Sequence, residues 1–184
     1  MERIVTRRKK IIDRTIVDAM LRGNIDFVSS VPCSLLAGVL DDISNFSNDR
    51  RRKLIHLPVT REEEGVGVCA GAYLGGSRPA LLMQNSGLGN SINALLSLTN
   101  LYKLGLFLLV SFRGRVGEED IQAQMPMGGA TEKILSVVGA KSRVIERQTD
   151  VGAIESLAKT AYQKEQITAA LVTSALWNEP GETE

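Results

Sequence analysis

Two stretches, "PALLMQN" (Pro79–Asn85) and "LGLFLLVSF" (Leu104–Phe112), constrain the fold more than anything else in the chain. Each falls far short of the roughly 20 apolar residues of a membrane span. Neither alternates apolar with polar residues, as a half-exposed strand would. A strand that is apolar on both faces must be covered on both faces, and the parallel sheets of α/β folds are built that way.

The rest of the chain supplies the cover. Ile12, Ile16, Ala19 and Met20 recur at helical spacing, so residues 8–22 read as an amphipathic helix ending near Gly23. "IDFVSSVP" (Ile25–Pro32) reads as a strand halted by proline, followed by a helix over Leu35–Ile43 and a short strand over Leu54–Leu57. A helix opening on Glu62–Glu64 precedes the first buried run, and a helix over Leu88–Leu101 precedes the second. Beyond a glycine-rich loop (Arg113–Gly129) come a helix over Thr131–Val138 and a strand over Arg143–Ile145. A helix from Asp150, its expected N-cap, to Lys164 and a strand over Ala169–Thr173 complete the series, and Met1–Thr6 and Asn178–Glu184 read as frayed ends. Strands alternating with helices through short connections predict an α/β fold: a single doubly wound, mainly parallel sheet with helices on both faces. With no repeat or linker to divide them, the 184 residues read as one domain, its core spanning about 8–175.

Composition excludes several functions. A formal net charge of +1 argues against a polyanion-binding surface, and the basic runs "RRKK" (Arg7–Lys10) and "RRRK" (Arg50–Lys53) lack interleaved aromatics. They read as solvated faces, so no nucleic-acid partner is expected. Two cysteines, Cys33 and Cys69, and the single histidine His56 cannot make a disulfide framework or a His-based metal cluster. With no signal-like or membrane-spanning stretch, the expected location is the cytoplasm, with no membrane partner.

In such a sheet, ligands gather where the strands' carboxyl ends open into loops. The exits to inspect are therefore "SSVPCS" (Ser29–Ser34), "QNSGLGNS" (Gln84–Ser91) and "SFRGRVGEED" (Ser111–Asp120), with "REEEGVGVCAGAYLGG" (Arg61–Gly76) following a fourth. Successive helical residues lie about 100° apart, so the three glutamates point in different directions. Glu63 shares a stripe with Gly67, Ala70 and Leu74; Glu62 leads to Val66, Cys69 and Tyr73; Glu64 leads to Val68, Gly71 and Gly75. Small residues below Glu63 would let a flat ligand or another backbone approach. Equally, all three acids favour a helix N-terminus by a few tenths of a kcal/mol each, about 0.3–1 at most. "NSGLGNS" is a glycine-bearing turn that lacks both the third glycine of G-x-G-x-x-G and the Lys-Ser/Thr of a P-loop, so it does not specify a nucleotide.

Together, "REEEGVGVCAGAY", "VPCSLL", "LLMQNSGLGNSINALLSL" and "SFRGRVGEEDIQAQMPMGG" resemble the thiamine-diphosphate-dependent 2-oxo-acid decarboxylases, and most of all the sulfopyruvate and phosphonopyruvate decarboxylases. The resemblance runs from about residue 10 to 175. It implies the pyrimidine-binding type of thiamine-diphosphate-binding fold. The family's catalytic Glu stands ten residues before a Tyr, which picks out Glu63 by its spacing from Tyr73. There the carboxyl group hydrogen-bonds N1′ of the aminopyrimidine and favours its imino tautomer. A seat of Val, Cys and Ala beside Glu63 should raise its pKa by disfavouring the charged form.

Other roles carried by the resemblance are less determined by the residues themselves. Pro32 and Cys33 at the first exit, with Asn85 and Gly87 at the second, would meet the cofactor. Ser34, Gln84, Asn85, Arg113 and Gln124 would meet the substrate, Arg113 pairing its guanidinium with a multi-oxygen anion. Cys33 also reads as a small buried residue, Asn85 and Gln84 as helix caps, and Arg113 as a surface arginine. His56 reads as an ordinary strand residue.

One departure from the single-chain family members matters. They carry a G-D-G motif that binds Mg²⁺ and the cofactor's diphosphate, and no G-D-G occurs here. The resemblance therefore implies a pyrimidine-binding half whose thiamine diphosphate is shared with a separate beta subunit, with Mg²⁺ held by that partner. It implies an αβ hetero-oligomer with two or more of each chain. The implied reaction is non-oxidative decarboxylation of a small 2-oxo acid bearing a sulfonate, 3-sulfopyruvate, to sulfoacetaldehyde and CO₂. The alternatives are a phosphonopyruvate decarboxylase subunit, a nucleotide-binding α/β protein, a non-catalytic assembly subunit and a stand-alone hydrolase.

Overall fold

The computed structural model describes residues 2–49, 53–115, 117 and 121–178, with side chains described from Lys9 onward. Its centre is a six-stranded sheet: β1 (Phe27–Ser30), β2 (Ile55–Pro58), β3 (Pro79–Gln84), β4 (Leu106–Ser111), β5 (Lys141–Ile145) and β6 (Ile167–Val172). The spatial order is β2-β1-β3-β4-β6-β5, and every adjacent pair is parallel. The two apolar runs are β3 and β4, side by side in the middle, with β4 buried from end to end.

Alternate residues of those strands feed two separate cores. Ala80, Leu82, Phe107 and Leu109 pack against α1 (Glu2–Arg22), α2 (Ala37–Asn48) and α6 (Gly152–Gln163), through Ile16, Met20, Ile43 and Ile154. Leu81, Met83, Leu108 and Val110 face the other way, onto α3 (Glu62–Leu74), α4 (Ser86–Ala94) and α5 (Met125–Val137), through Val66, Cys69, Leu88 and Leu135. Each of the Val, Leu, Ile, Met and Phe side chains, once fully buried, contributes about 1.5–3 kcal/mol. A polar substitution on either face of β3 or β4 would therefore break a core. The doubly wound sheet is as the apolar runs require.

Boundaries differ from the sequence reading where local chemistry overrides periodicity. The first helix begins at Glu2, so residues 2–6, expected to be frayed, continue it; residues 179–184 lie outside the described residues. α5 begins at Met125 inside the expected glycine-rich loop. Pro126 suits a first helical turn, where its missing N–H has no role, and Gly128 lies so close to the backbone of Gly114 that any Cβ there would stand 2.0 Å from the Gly114 carbonyl oxygen. The helix after β3 continues as a π-helical segment, Leu95–Asn100. Asp150 is not an N-cap of α6, whose N-cap is Val151. Its carboxylate accepts the Arg147 N–H at 3.1 Å and closes the turn before the helix. A last short helix, α7 (Ala175–Asn178), is fastened to α1 by Trp177 Nε1, which donates to buried Asp13 Oδ1 at 2.8 Å.

Lys9 and Lys10 are exposed on α1, whereas Arg50–Arg52 lie outside the described residues. Among the described residues no helix is long and apolar enough to cross a membrane.

Candidate functional site

Chain order along the sheet reverses at β1: β2 lies to one side of it and β3 to the other. The crevice at such a reversal, beyond the strands' carboxyl ends, is where open α/β sheets bind ligands. The exits of β1, β3 and β4 meet there. Cys33, buried at 8% exposure, places its Sγ 3.0 Å from Ser111 Oγ at the end of β4. Next to it, Ser34 is exposed, and its Oγ accepts a hydrogen bond of 3.3 Å from Arg113 Nη1. Pro32 is exposed on the same turn.

Asn85 turns out to be a clamp. Its side chain is 1% exposed, and its Nδ2 donates to Arg113 O at 2.9 Å and to Thr131 Oγ1 at 2.8 Å. Its Oδ1 accepts the Arg113 N–H at 3.3 Å. Both donors of this amide and one lone pair of its oxygen are thus engaged by the protein's own groups, and its side chain does not cap α4. Gln84, half-buried, donates from Nε2 to Ser86 Oγ at 3.1 Å. Gln124 stands at the foot of α5 with its Oε1 buried and without a hydrogen-bond partner among the described residues. Within the loop itself, residues 116 and 118–120 lie outside the described residues.

The three glutamates at the head of α3 have three distinct surroundings. Glu64 Oε2 accepts from the Thr60 N–H at 3.1 Å and the Thr60 hydroxyl at 3.2 Å, a local closure of the helix start. Glu62 lies across the first turn of α4: Asn90 Nδ2 donates to its Oε2 at 3.2 Å, and a Cβ on Gly87 would stand 2.3 Å from Glu62 Cγ. That contact accounts for the glycine at 87 without any cofactor, and it latches α3 to α4. Glu63 Oε1 accepts from Arg61 Nε at 2.5 Å, while its Oε2 is shielded and has no hydrogen-bond partner among the described residues.

The expected dry seat for Glu63 is not formed by this chain alone. Val66 and Cys69, both buried, lie on the side of Glu62; the side of Glu63 runs from exposed Gly67 through buried Ala70 to Leu74, which is 73% exposed. The Glu63 side chain is 32% exposed. Its pKa is lowered: a hydrogen bond from its own backbone N–H is the largest cause, burial acts against it, and Arg61 lowers it further. The expected upward shift is therefore corrected for the isolated chain, because a neighbouring cation and an N–H stabilise the carboxylate more than partial burial penalises it.

The sequence assigns no site role to Ser111, Thr131 or Asn90, and it leaves Glu62 as one of three acids at a helix start. Ser111 had a usable signal, as the polar residue that ends an otherwise apolar strand; Thr131 had none, being one hydroxyl at the expected start of a helix with nothing in its spacing to tie it to Asn85. Among the described residues no group of three or more His, Cys, Asp or Glu side chains could hold a metal ion.

Comparison with known proteins places the chain in a family. The alpha subunit of sulfopyruvate decarboxylase from Methanococcus maripaludis is 55% identical over 120 residues, 65% of this chain and 68% of that one. The corresponding subunit from Methanothermobacter thermautotrophicus is 41% identical over 159 residues, 86% of this chain and 93% of that one. This chain belongs to the sulfopyruvate decarboxylase alpha-subunit family. A longer relative, the sulfopyruvate decarboxylase of Methanosarcina acetivorans, is 35% identical over 166 residues, which are 90% of this chain but 41% of that one. No protein-family model matches the chain. Among solved structures, a 2-oxoglutarate:ferredoxin oxidoreductase from Magnetococcus marinus superposes with a TM-score of 0.70 at 12% identity, covering 89% of this chain and 29% of that one, so the two share a fold.

Proposed function

We propose that this chain is the pyrimidine-binding subunit of a two-chain, thiamine-diphosphate-dependent decarboxylase that converts 3-sulfopyruvate to sulfoacetaldehyde and CO₂, a cytoplasmic step of coenzyme M biosynthesis. Family membership supports the reaction. The observation that carries the cofactor assignment is the head of α3, where Glu63 keeps one shielded carboxyl oxygen without a partner among the described residues. Along the same helix, a Cβ added at Gly67 or Gly71 would meet nothing within 4 Å. An orphaned oxygen above an open, small-residue face suits a flat aminopyrimidine, and Glu63 would hold its N1′. Thiamine diphosphate, when bound, supplies a thiazolium carbon that takes up the electron pair left by departing CO₂, which no side chain can do.

The chain's own contribution is to hold a proton at Glu63 against the ring nitrogen. That task requires a less acidic carboxyl than the isolated chain has, so the remaining wall of the seat must come from outside it. A partner covering Gly67, Gly71 and Leu74 would expel water from Glu63 and push its pKa upward. The diphosphate and Mg²⁺ do not fit the described residues, which offer no metal-holding cluster. A separate beta chain would supply both, in an assembly with two or more of each subunit. Relatives designated "subunit alpha", and a longer relative of which this chain spans 41%, support that division of labour.

The test is reconstitution. The chain mixed with its beta subunit, thiamine diphosphate and Mg²⁺ should consume 3-sulfopyruvate and release sulfoacetaldehyde, whereas neither chain alone should. Turnover by this chain alone, turnover without the cofactor, or consumption of phosphonopyruvate in preference to sulfopyruvate would refute the proposal.

A further inference from the structure

Asn85 lies buried at the crevice and grips Arg113, whose guanidinium suits an anion. We propose that Asn85 is a positioning residue: it holds both peptide groups of Arg113 so that the guanidinium stands beside Ser34 and receives the anionic tail of the 2-oxo acid. The substrate part of this inference rests on the function proposed above.

The argument begins with donors and acceptors. The Asn85 Nδ2 protons go to Arg113 O and Thr131 Oγ1, and the Thr131 hydroxyl donates onward to Met127 O at 2.7 Å. Asn85 Oδ1 takes the Arg113 N–H. Because one rigid amide holds the N–H and the C=O of the same residue, the direction of the Arg113 Cα–Cβ bond is set by Asn85. Thr131 anchors the clamp to α5 in turn.

The loop beyond is pinned at the same point. Gly114 adopts a φ of +75°, and a Cβ there would lie 2.1 Å from the Gln124 carbonyl oxygen, so its backbone sits flat against the start of α5. From this fixed base the Arg113 side chain reaches across to Ser34 Oγ at 3.3 Å, at the exit of β1. A planar guanidinium held in place, with a hydroxyl beside it, suits a sulfonate; a loosely held one would lose ordering entropy on each binding event. Aspartate, although isosteric, cannot replace Asn85. It would turn an oxygen toward the Arg113 carbonyl, and the Thr131 proton is already committed to Met127.

The test uses the assembled enzyme. Arg113→Gln should raise KM for sulfopyruvate at least tenfold with kcat within about threefold, the pattern of lost binding in both ground and transition states. Asn85→Asp should do the same, and the double variant should be no worse than Arg113→Gln alone, since the clamp acts only through the arginine. Thr131→Ser should retain wild-type KM, whereas Thr131→Val should raise it. Thiamine diphosphate affinity should stay within twofold in all of them.

Calorimetric titration with sulfoacetate provides a readout that needs no turnover: binding to the wild-type assembly should weaken at least tenfold in Asn85→Asp and in Arg113→Gln. Loss of cofactor affinity in Asn85→Asp, additivity of the two substitutions, or sulfoacetate binding that is absent in the wild type or unchanged in the variants would each overturn the inference. If the wild-type assembly binds sulfoacetate through Arg113 yet does not decarboxylate sulfopyruvate, it is the function that fails and the clamp that stands.

Discussion

His56 is the single histidine of the chain, and it ties the edge of the sheet to its neighbours. Its Nε2 lies 2.9 Å from Ser30 Oγ on β1 and its Nδ1 3.2 Å from Ser44 Oγ on α2, while its N–H donates to Ser47 Oγ at 3.2 Å. Burial lowers its pKa below the ordinary 6.5. Below pH 6.5 the unfolded chain therefore takes up a proton that the folded chain resists. The stability contributed by neutral His56 is present above that pH and is lost as pH falls from 6.5 toward its folded value, by at most about 1.4 kcal/mol per pH unit. Asp13 acts with the opposite sign. Its pKa is raised chiefly by burial, so stability is gained as pH falls through the folded value. Urea unfolding at pH 7.5 and 5.5 should separate the two: the wild type should lose more stability on acidification than His56→Gln does. Equal losses would show that the imidazole is not held neutral. As a reading of sequence, His56 as a strand residue was correct, but the serines that flank it come from distant parts of the chain, and nothing in their spacing announces the contact.

Among the elements, α3 and α4 are joined where Glu62 lies over Gly87, and this contact aims the whole head of α3, Glu63 included. Gly87→Ala should push the flexible Glu62 side chain off the first turn of α4 and lower stability by about 1 kcal/mol or less. Glu62→Ala in that background should recover part of the loss, because the obstructing side chain is gone. A chemical-denaturation series on the two single variants and the double gives the coupling directly, and strictly additive losses would remove Gly87 from this role. The strands and most helices were legible in the sequence, since a run apolar on both faces admits few folds. The start of α5 was not. Pro126, Gly128 and Gly129 look like a loop, and only the close approach of Gly114 to Gly128 reveals why glycine belongs in a helix there. The clamp at Asn85 was not legible for a related reason: its position at a strand exit was visible, but the partners of its amide depended on α5 being in place.

For the molecule as a whole, the spacing of Glu63 from Tyr73 located the candidate carboxyl, yet the chain by itself surrounds it with the wrong chemistry for the proposed task. It is half-exposed, beside Arg61, and its pKa is lowered. Sequence patterning shows what one chain buries and cannot show what a second chain would bury, so on the proposed function the rest of the dry seat would come from the partner. On the function proposed above, the metal-holding group, of which the described residues have none, would lie on the other chain. The most direct test is to replace this one carboxyl group: assemble the Glu63→Gln chain with the beta subunit, thiamine diphosphate and Mg²⁺, verify that the complex forms, and compare its sulfopyruvate turnover with that of the unmodified assembly. The account predicts an intact complex whose turnover falls by about a thousandfold or more, some 4 kcal/mol of lost transition-state stabilisation; an intact complex turning over at the unmodified rate would contradict it.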